Sequence, residues 1–320
     1  MKALLLAGGF GTRLRPLTYT RPKHLLPILN RAHIEHVFDL LVRHGVTDII
    51  LTTSYLAGAF ATTVERARER GIRVDVTHEE VPLGTAGALK NAEAAIGNEA
   101  FLVFNGDILT DVDLQAVVDF HKKARAEATI LLTPVEDPST FGVVPTDDAG
   151  RVTAFIEKPP AGQAPTNLIN AGVYVLEPSV LKRIPAGREW SVERGLFPEL
   201  VTQGAPLYAL ATDAYWNDVG TPEKYLQVNL DAIAARVRVA EGAAVAAGAQ
   251  IDDQAEVSAA CVGSGCTIEA GARVTESVLL PGVTVGHDAA VTGSILGQGV
   301  VVAPGAEVVG RTVADGDRVG

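Results

Sequence analysis

The sequence predicts an α/β domain with a mixed, mostly parallel sheet, followed by a second domain built as a parallel β-helix. Three observations carry that expectation. Short apolar runs alternate with helix-period segments up to about Val135, the apolar period changes to six beyond residue 236, and aromatics and lysines stop between the two regimes. All 9 Phe, 6 Tyr and 2 Trp lie at or before Tyr225, and no Lys follows Lys224. Large rings supply the bulkiest packing, so a core that lacks them must be closed by small and β-branched residues.

Ala3–Leu6, Asp48–Thr52, Arg73–Val76, Phe101–Phe104 and Thr129–Leu132 read as strands. His33–His44, Ala57–Arg70, Ala86–Ala95 and Leu114–Ala126 read as helices, with Gly45 and Gly71 at C-cap positions. This alternation implies a Rossmann-like sheet covered on both faces, whose ligands bind beyond the carboxyl ends of the strands. Between Phe141 and Leu210 the strands are more varied (Phe141–Val144, Val152–Ile156, Ala171–Leu176, Leu207–Leu210), as expected of an insertion that walls one side of a site. Thr221-Pro222-Glu223 starts a helix, with threonine at the N-cap and proline at the first helical position. That helix runs to about Arg236 and separates the expected domains, 1–236 and 237–320.

Beyond it Val239, Val245, Ile251 and Val257 are spaced by six, as are Val262, Ile268, Val274 and Leu280. Val285 and Val291 follow, then Leu296, Val302 and Val308, and last Val313 and Val319, with steps of five between runs. One buried residue per short strand would point into a narrow prism whose corners need glycine. The pattern resembles the hexapeptide-repeat left-handed parallel β-helix, with about four coils at three hexads per turn. Such an interior has no room for rings.

A composition that is 47% hydrophobic and 20% charged belongs to a folded chain rather than a disordered one. The net charge of −11 argues against a nucleic-acid partner. The apolar start Met1–Ala7 stops at Gly8-Gly9, short of an export signal, and no apolar run is long enough to enter a membrane. Cys261 and Cys266 are too few for a disulfide framework or a zinc site. A cytoplasmic location is the expectation. Within this acidic chain, Met1–Ile34 holds six cations (Lys2, Arg13, Arg15, Arg21, Lys23, Arg31) and no acid. A local basic stretch of that kind suggests a small, highly anionic ligand.

The loop after the first strand, Leu6-Ala7-Gly8-Gly9-Phe10-Gly11-Thr12-Arg13-Leu14-Arg15-Pro16, is neither a Walker A loop nor the dinucleotide fingerprint, whose third glycine would fall on Leu14. Its three glycines still allow backbone N–H groups to approach phosphate oxygens, and Thr12 and Arg13 add a hydroxyl donor and a fixed charge. Pro22-Lys23 follows in the same basic stretch.

This loop, together with Pro82-Leu83-Gly84-Thr85-Ala86-Gly87, Asn105-Gly106-Asp107, Phe155-Ile156-Glu157-Lys158-Pro159, Asn170-Ala171-Gly172-Val173-Tyr174 and Trp216-Asn217-Asp218-Val219-Gly220, resembles the sugar-1-phosphate nucleotidyltransferases. The motifs span the whole first domain in order, and a β-helix follows that domain in this family too. One departure is His24, where the family usually has proline.

The resemblance implies transfer of a nucleotidyl group from a nucleoside triphosphate to a sugar-1-phosphate, with release of pyrophosphate. The attacking phosphate oxygen is already ionised, so catalysis reduces to alignment and charge neutralisation. It further implies that Arg13 holds the β- and γ-phosphates and that Lys23 neutralises charge around the α-phosphate. Leu6, Ala7, Gly8, Gly9, Gly11, Thr12, Glu79, Gly84 and Asp107 would bind the nucleotide, and Asp107 and Asp218 would hold Mg²⁺. Gly142, Glu157, Lys158, Asn170 and Gly172 would line the sugar-phosphate pocket.

For the base, members that use thymidine or uridine nucleotides commonly carry glutamine before the Pro-x-Gly stretch, where this chain reads His78-Glu79-Glu80-Val81-Pro82. A carboxylate only accepts hydrogen bonds, and guanine offers adjacent N1–H and N2–H donors. Glu79 or Glu80 facing the base would favour GTP, which together with Ser191-Val192-Glu193 points within the family to the mannose-1-phosphate guanylyltransferases. Glucose-1-phosphate thymidylyl transfer and a non-catalytic regulatory subunit of the same fold remain the alternatives. The β-helix, with a single histidine (His287) and no lysine, is expected to be an assembly element that packs on its own domain or on another subunit, as in a homo-oligomer, rather than an acyl-transfer site.

Overall fold

The computed structural model describes residues 1–239 and 242–320. They fall into two compact units: residues 1–9 with 38–216, and residues 10–37 with 217–320.

The first unit is built on a nine-stranded sheet. Its main path runs Ile156–Glu157, Gly142–Val143, Leu168–Leu176, Phe101–Asn105, Ala3–Leu6, Asp48–Thr53 and Arg73–His78, while Ala128–Pro134 and Leu207–Ala211 extend it from Leu168–Leu176. Ala3–Leu6 lies parallel to both Phe101–Asn105 and Asp48–Thr53, and the latter to Arg73–His78. Leu168–Leu176 runs antiparallel to all three of its neighbours. The sheet is therefore mixed, with the antiparallel part supplied by the insertion. Central strands buried on both faces need continuous apolar runs, and Ala3-Leu4-Leu5 and Phe101-Leu102-Val103-Phe104 are buried throughout.

Local departures from expectation have local causes. The helix expected at Ala86–Ala95 is two helices, Gly84–Asn91 and Glu93–Ile96, broken at Ala92. The segment expected at Ala57–Arg70 starts as a 3₁₀ turn, Ala57–Phe60, and becomes α-helical only over Ala61–Glu69. Of Val152–Ile156 only Ile156 enters a strand, Ile156–Glu157, while Val152 makes a single bridge to Thr146. The helix from Pro222 stops at Ile233 because Ala235 turns to φ 53° and Arg236 N–H reaches back to the Asp231 carbonyl. No glycine marks that end. A π-helical turn at Val192–Leu196 and a helix at Phe197–Thr202 lie within the segment read only for its strands.

In the second unit the C-terminal region is a parallel β-helix of three stacked sheets, with five, four and four strands, as expected of the left-handed form. Successive strands pair at a constant offset: Ile251 with Ile268, Val274 with Val291, Leu279 with Leu296. Each coil thus contains two steps of six and one of five. That arithmetic moves one expected core position, because Val262 pairs with Leu279 rather than Leu280. The column is filled by Val262, Ile268, Val274, Leu279, Val285, Val291, Leu296, Val302 and Val308, all buried. Val245 and Ile251, in the first described coil, are exposed; Val239 lies outside any strand. Cys261 and Cys266 are buried and free, and burial pushes the Cys261 thiol up to about 11.

Residues 10–37 pack within this same unit. Leu29 and Asn30 both take positive φ in the turn between Pro27–Ile28 and Arg31–Ala32. The turn is gripped from two sides: Asn229 accepts from Leu29 N–H at 3.2 Å, and Asn30 donates to the carbonyls of Ala243, Ala244 and Val262. The Tyr225 hydroxyl donates to the Pro27 carbonyl at 2.6 Å.

Candidate active site

In the first unit the expected nucleotide side begins where the first strand ends. Ala7 N–H donates to the Thr52 carbonyl, Gly106 N–H to the Leu6 carbonyl, and the Ser54 hydroxyl to the Gly8 carbonyl. Leu6, Ala7 and Gly8 are thereby fixed between two neighbouring strand ends, and Gly9 continues the loop at the surface. A β-carbon on Gly8 would lie 3.1 Å from Ser54 Oγ and 3.7 Å from Glu79 Oε1, so Glu79 is a direct neighbour of the loop. Glu79 is buried, with Oε2 accepting from Leu83 N–H at 2.9 Å. Burial raises its pKa above the ordinary carboxylate value, opposed by the Leu83 hydrogen bond and by His78. Of the two glutamates that could have faced a base, Glu80 is exposed and Glu79 points inward.

Gly84 has a packing role. Its φ is 70°, and a β-carbon there would lie 2.8 Å from the Trp190 carbonyl oxygen, which accepts from Ala86 and Gly87 N–H. The first donors of that helix are thus satisfied by protein. The same strap carries Glu193, whose carboxylate accepts from Thr85 Oγ1 at 2.8 Å.

Asp107 is half-buried just past the carboxyl end of Phe101–Asn105, where this kind of sheet places its ligands. Asn170, Gly172 and Tyr174 gather beside it. Asn170 Nδ2 donates to the Tyr174 hydroxyl at 2.8 Å, and Gly172 N–H donates to Asn170 Oδ1 at 2.9 Å within a bulge of the strand. Gly172 has φ 72°, and a β-carbon would lie 2.8 Å from Asn105 Nδ2. Burial lifts the Tyr174 hydroxyl well above its ordinary pKa, and the charges of Glu193 and Asp107 add to this against hydrogen bonds from Asn170 and Asn105. Gly142 pairs with Glu157 across two short strands, and a β-carbon on it would lie 2.8 Å from the Phe155 ring and 3.0 Å from Glu157 Oε2. Burial, then the neighbouring charge of Glu193, raises the Glu157 pKa, with Lys158 and Arg194 opposing. Lys158 itself sits at φ 51° directly after that strand.

In the second unit, Gly11 has φ 61°, and a β-carbon on it would lie 3.1 Å from Thr18 Cγ2 and 3.2 Å from Lys23 Cβ. The Thr18 hydroxyl donates to the Gly11 carbonyl at 2.8 Å. Lys23 is therefore folded back against the start of the Thr12–Leu14 turn that carries Arg13. Arg13 and Asp218, distant in sequence, both meet Gly220. Asp218 is ion-paired with Lys224, in the first turn of the helix that follows.

Only part of the basic stretch gathers here. Arg21 pairs with Asp315 at 2.6 Å, Arg31 lies 3.4 Å from Glu35, Lys2 donates to the Ala95 carbonyl, and the Arg15 guanidinium stacks over Tyr19. At least four of the six cations in this stretch, Lys2, Arg15, Arg21 and Arg31, are thus engaged with protein groups. His24 is buried. Sequence reasoning missed Lys224, Asn105 and the segment around Trp190, since each acts through a contact that sequence spacing does not encode.

The family model described as nucleotidyl transferase matches residues 2–234, and that described as GMPPB C-terminal domain matches residues 233–319. The chain is 42% identical over 232 residues to a mannose-1-phosphate guanylyltransferase of Mycobacterium tuberculosis, covering 72% of this chain and 64% of that protein. It is 42% identical over 231 residues to a mannose-1-phosphate guanyltransferase of Aspergillus fumigatus, covering 71% and 62%. The match thus spans less than two thirds of these relatives. The crystal structure of HddC from Yersinia pseudotuberculosis complexed with GMP-PN is similar at TM-score 0.62 and 30% identity, over 71% of this chain and 97% of that one. Among the described residues no helix is long and apolar enough to cross a membrane.

Proposed function

The chain belongs to the nucleotidyl transferase family, and we propose that it joins GTP to mannose-1-phosphate, forming GDP-mannose and pyrophosphate, with residues 1–236 catalytic and 237–320 the β-helix domain. The observation that carries the choice of nucleotide is Glu79: buried, turned toward Gly8, with one oxygen held by Leu83 N–H. The remaining acceptor suits the N1–H and N2–H edge of guanine and is a poor match for thymine, whose single donor lies between acceptors. The names of the relatives point the same way.

In the reaction a phosphate oxygen of the sugar-1-phosphate attacks the α-phosphorus in line, a new P–O bond forms, the α–β P–O bond breaks, and pyrophosphate leaves with the electron pair. No proton need move. Arg13 binds the β- and γ-phosphates and stabilises the departing pyrophosphate, and Lys23 neutralises the α-phosphate as charge accumulates on it. Backbone groups of Leu6, Ala7, Gly8, Gly9, Gly11 and Thr12 follow the nucleotide, with Gly84 supporting that wall. Glu157 and Asn170 accept and donate to sugar hydroxyls, Gly142 and Gly172 leave room for the ring, and Lys158 pairs with the sugar phosphate.

Asp107 and Asp218 are the carboxylates we propose as Mg²⁺ ligands. Their oxygen-only chemistry fits that ion, which takes one or two carboxylates and completes its shell with phosphate oxygens and water. Bound there, the ion supplies charge neutralisation at the phosphates. We further propose assembly as a homo-oligomer, which mass measurement in solution tests.

Pyrophosphate release measured for GTP and dTTP, each with mannose-1-phosphate and glucose-1-phosphate, tests the reading. GTP with mannose-1-phosphate should be the best pair. A preference for dTTP with glucose-1-phosphate overturns the choice of product, and no turnover with any pair favours a regulatory subunit.

A further inference from the structure

We infer that Asp315, in the last coil of the β-helix, is a positioning residue for the loop that carries Lys23. Arg21 stands two residues before Lys23. Its Nη2 lies 2.6 Å from Asp315 Oδ2 and 3.1 Å from Gln298 Oε1, and the Thr20 hydroxyl donates to the same Asp315 oxygen at 2.7 Å. The other Asp315 oxygen accepts from Gln298 N–H at 2.8 Å. Both oxygens of the carboxylate are engaged, and Gln298 and Asp315 occupy the same corner of consecutive coils, which the stacked sheets hold rigid.

The side chains of Arg21 and Asp315 are only 16% and 21% exposed. A charge-assisted pair so shielded from water holds its geometry better than a surface ion pair. The second grip lies at Asn30, whose amide donates to the carbonyls of Ala243, Ala244 and Val262. Lys23 therefore sits on a segment fastened to the β-helix at both ends. Between those fastenings the segment has little regular structure: a 3₁₀ turn at Lys23–Leu25 and the two-residue strand Pro27–Ile28. The repeat domain acts in this way as a rigid wall against which a catalytic loop is set, in addition to any part it plays in assembly.

The effect on turnover rests on the guanylyl-transfer reading above; the fastening itself does not. The test uses the full chain with Asp315→Ala, Asp315→Asn and the reversal Arg21→Asp/Asp315→Arg. Asp315→Ala should lower kcat about ten- to a hundredfold, the scale expected of a slightly misplaced catalytic group. The KM for mannose-1-phosphate should change less than about twofold, since its expected contacts lie elsewhere, and the thermal midpoint should stay within a few degrees. Amide hydrogen exchange across Thr18–Leu26 should rise in Asp315→Ala, rise less in Asp315→Asn, and fall back toward the parent in the reversal. Unchanged exchange in that segment in both single variants overturns the inference, as does an unchanged kcat in an active parent. If the parent turns over no substrate pair, the functional reading fails while the exchange measurement still decides the fastening.

Discussion

Arg13 and Asp218 meet over Gly220: a β-carbon at that glycine would lie 3.0 Å from Arg13 Nη2 and 3.4 Å from Asp218 Oδ2. Oppositely charged groups from two motifs some two hundred positions apart thus border the same space, which a side chain at this position would fill. Gly220 does not adopt a positive φ, so Gly220→Ala is compatible with the backbone and its added methyl acts on its neighbours. We expect kcat to fall about tenfold or more, with little change in the thermal midpoint. Steady-state kinetics beside a melting curve separate the two effects, and an unchanged kcat would show that the pair needs no such closeness.

Glu79 offers a test in which stability and specificity move apart. Burial raises its pKa in the folded state, so ionised Glu79 destabilises the fold near neutral pH, and that cost disappears as pH falls through the raised value. Glu79→Gln keeps an oxygen for Leu83 N–H and removes the charge. The variant should be at least as stable as the parent at pH 7, with the advantage shrinking toward pH 4. Its preference for GTP over dTTP should fall about tenfold, the scale of one base-edge contact. Urea midpoints against pH, and kcat/KM for the two nucleotides, check both halves.

At Gly172 the φ of 72° and the closeness of Asn105 forbid a side chain for two independent reasons. Gly172→Ala should destabilise by about 1–3 kcal/mol from the backbone alone. It should also disturb the Asn170 contact that Gly172 N–H makes, raising the KM for the sugar phosphate. Gly142→Ala, where no positive φ is involved but Phe155 and Glu157 crowd the site, should raise KM with a smaller loss of stability.

Protonation should act with opposite sign at His121. Burial lowers its pKa against the pull of Glu177, so stability is whole above the ordinary histidine range and is lost as pH falls below about 6.5. Unfolding midpoints between pH 7.5 and 5.5 should decline in the parent and decline less in His121→Gln. Parallel slopes would place the loss on other groups.

In the β-helix, Val285→Phe asks a column of stacked Val and Ile to admit a ring. Ile268, Val285 and Val302 lie in register and are buried to within 1%. The overpacked variant should lose about 1–3 kcal/mol, and a native-like melting midpoint would contradict the narrow-prism account of the missing aromatics.

The features legible in the sequence were those set by neighbours along the chain. Strand and helix alternation, the run Ala3–Leu6 ending in glycines, and Pro22 before Lys23 are local patterns whose physics is local. The β-helix was readable because its contacts repeat: Val262, Leu279, Leu296 and Val313 face one another at a constant offset, so the steps of six broken by steps of five already contain the coil. Even there the register between Leu279 and Leu280 depended on which residue the next coil covered. The helix end at Ala235 escaped because an alanine took a conformation usually left to glycine.

Partnerships across the fold could not be read in that way. Arg21 is one of six similar cations in sequence, and its pairing with Asp315, 294 positions away, depends on how the coils stack. Asp218 with Lys224, Glu193 with Thr85, and Glu79 rather than Glu80 turned inward are likewise decided by distance and burial in space. The aromatic boundary at Tyr225 and the chemistry of each motif follow from residue type and order. Which of those charges reach a ligand, and which hold the protein together, follows from packing, because electrostatic and hydrogen-bonding energies depend on separation in space and not on position along the chain.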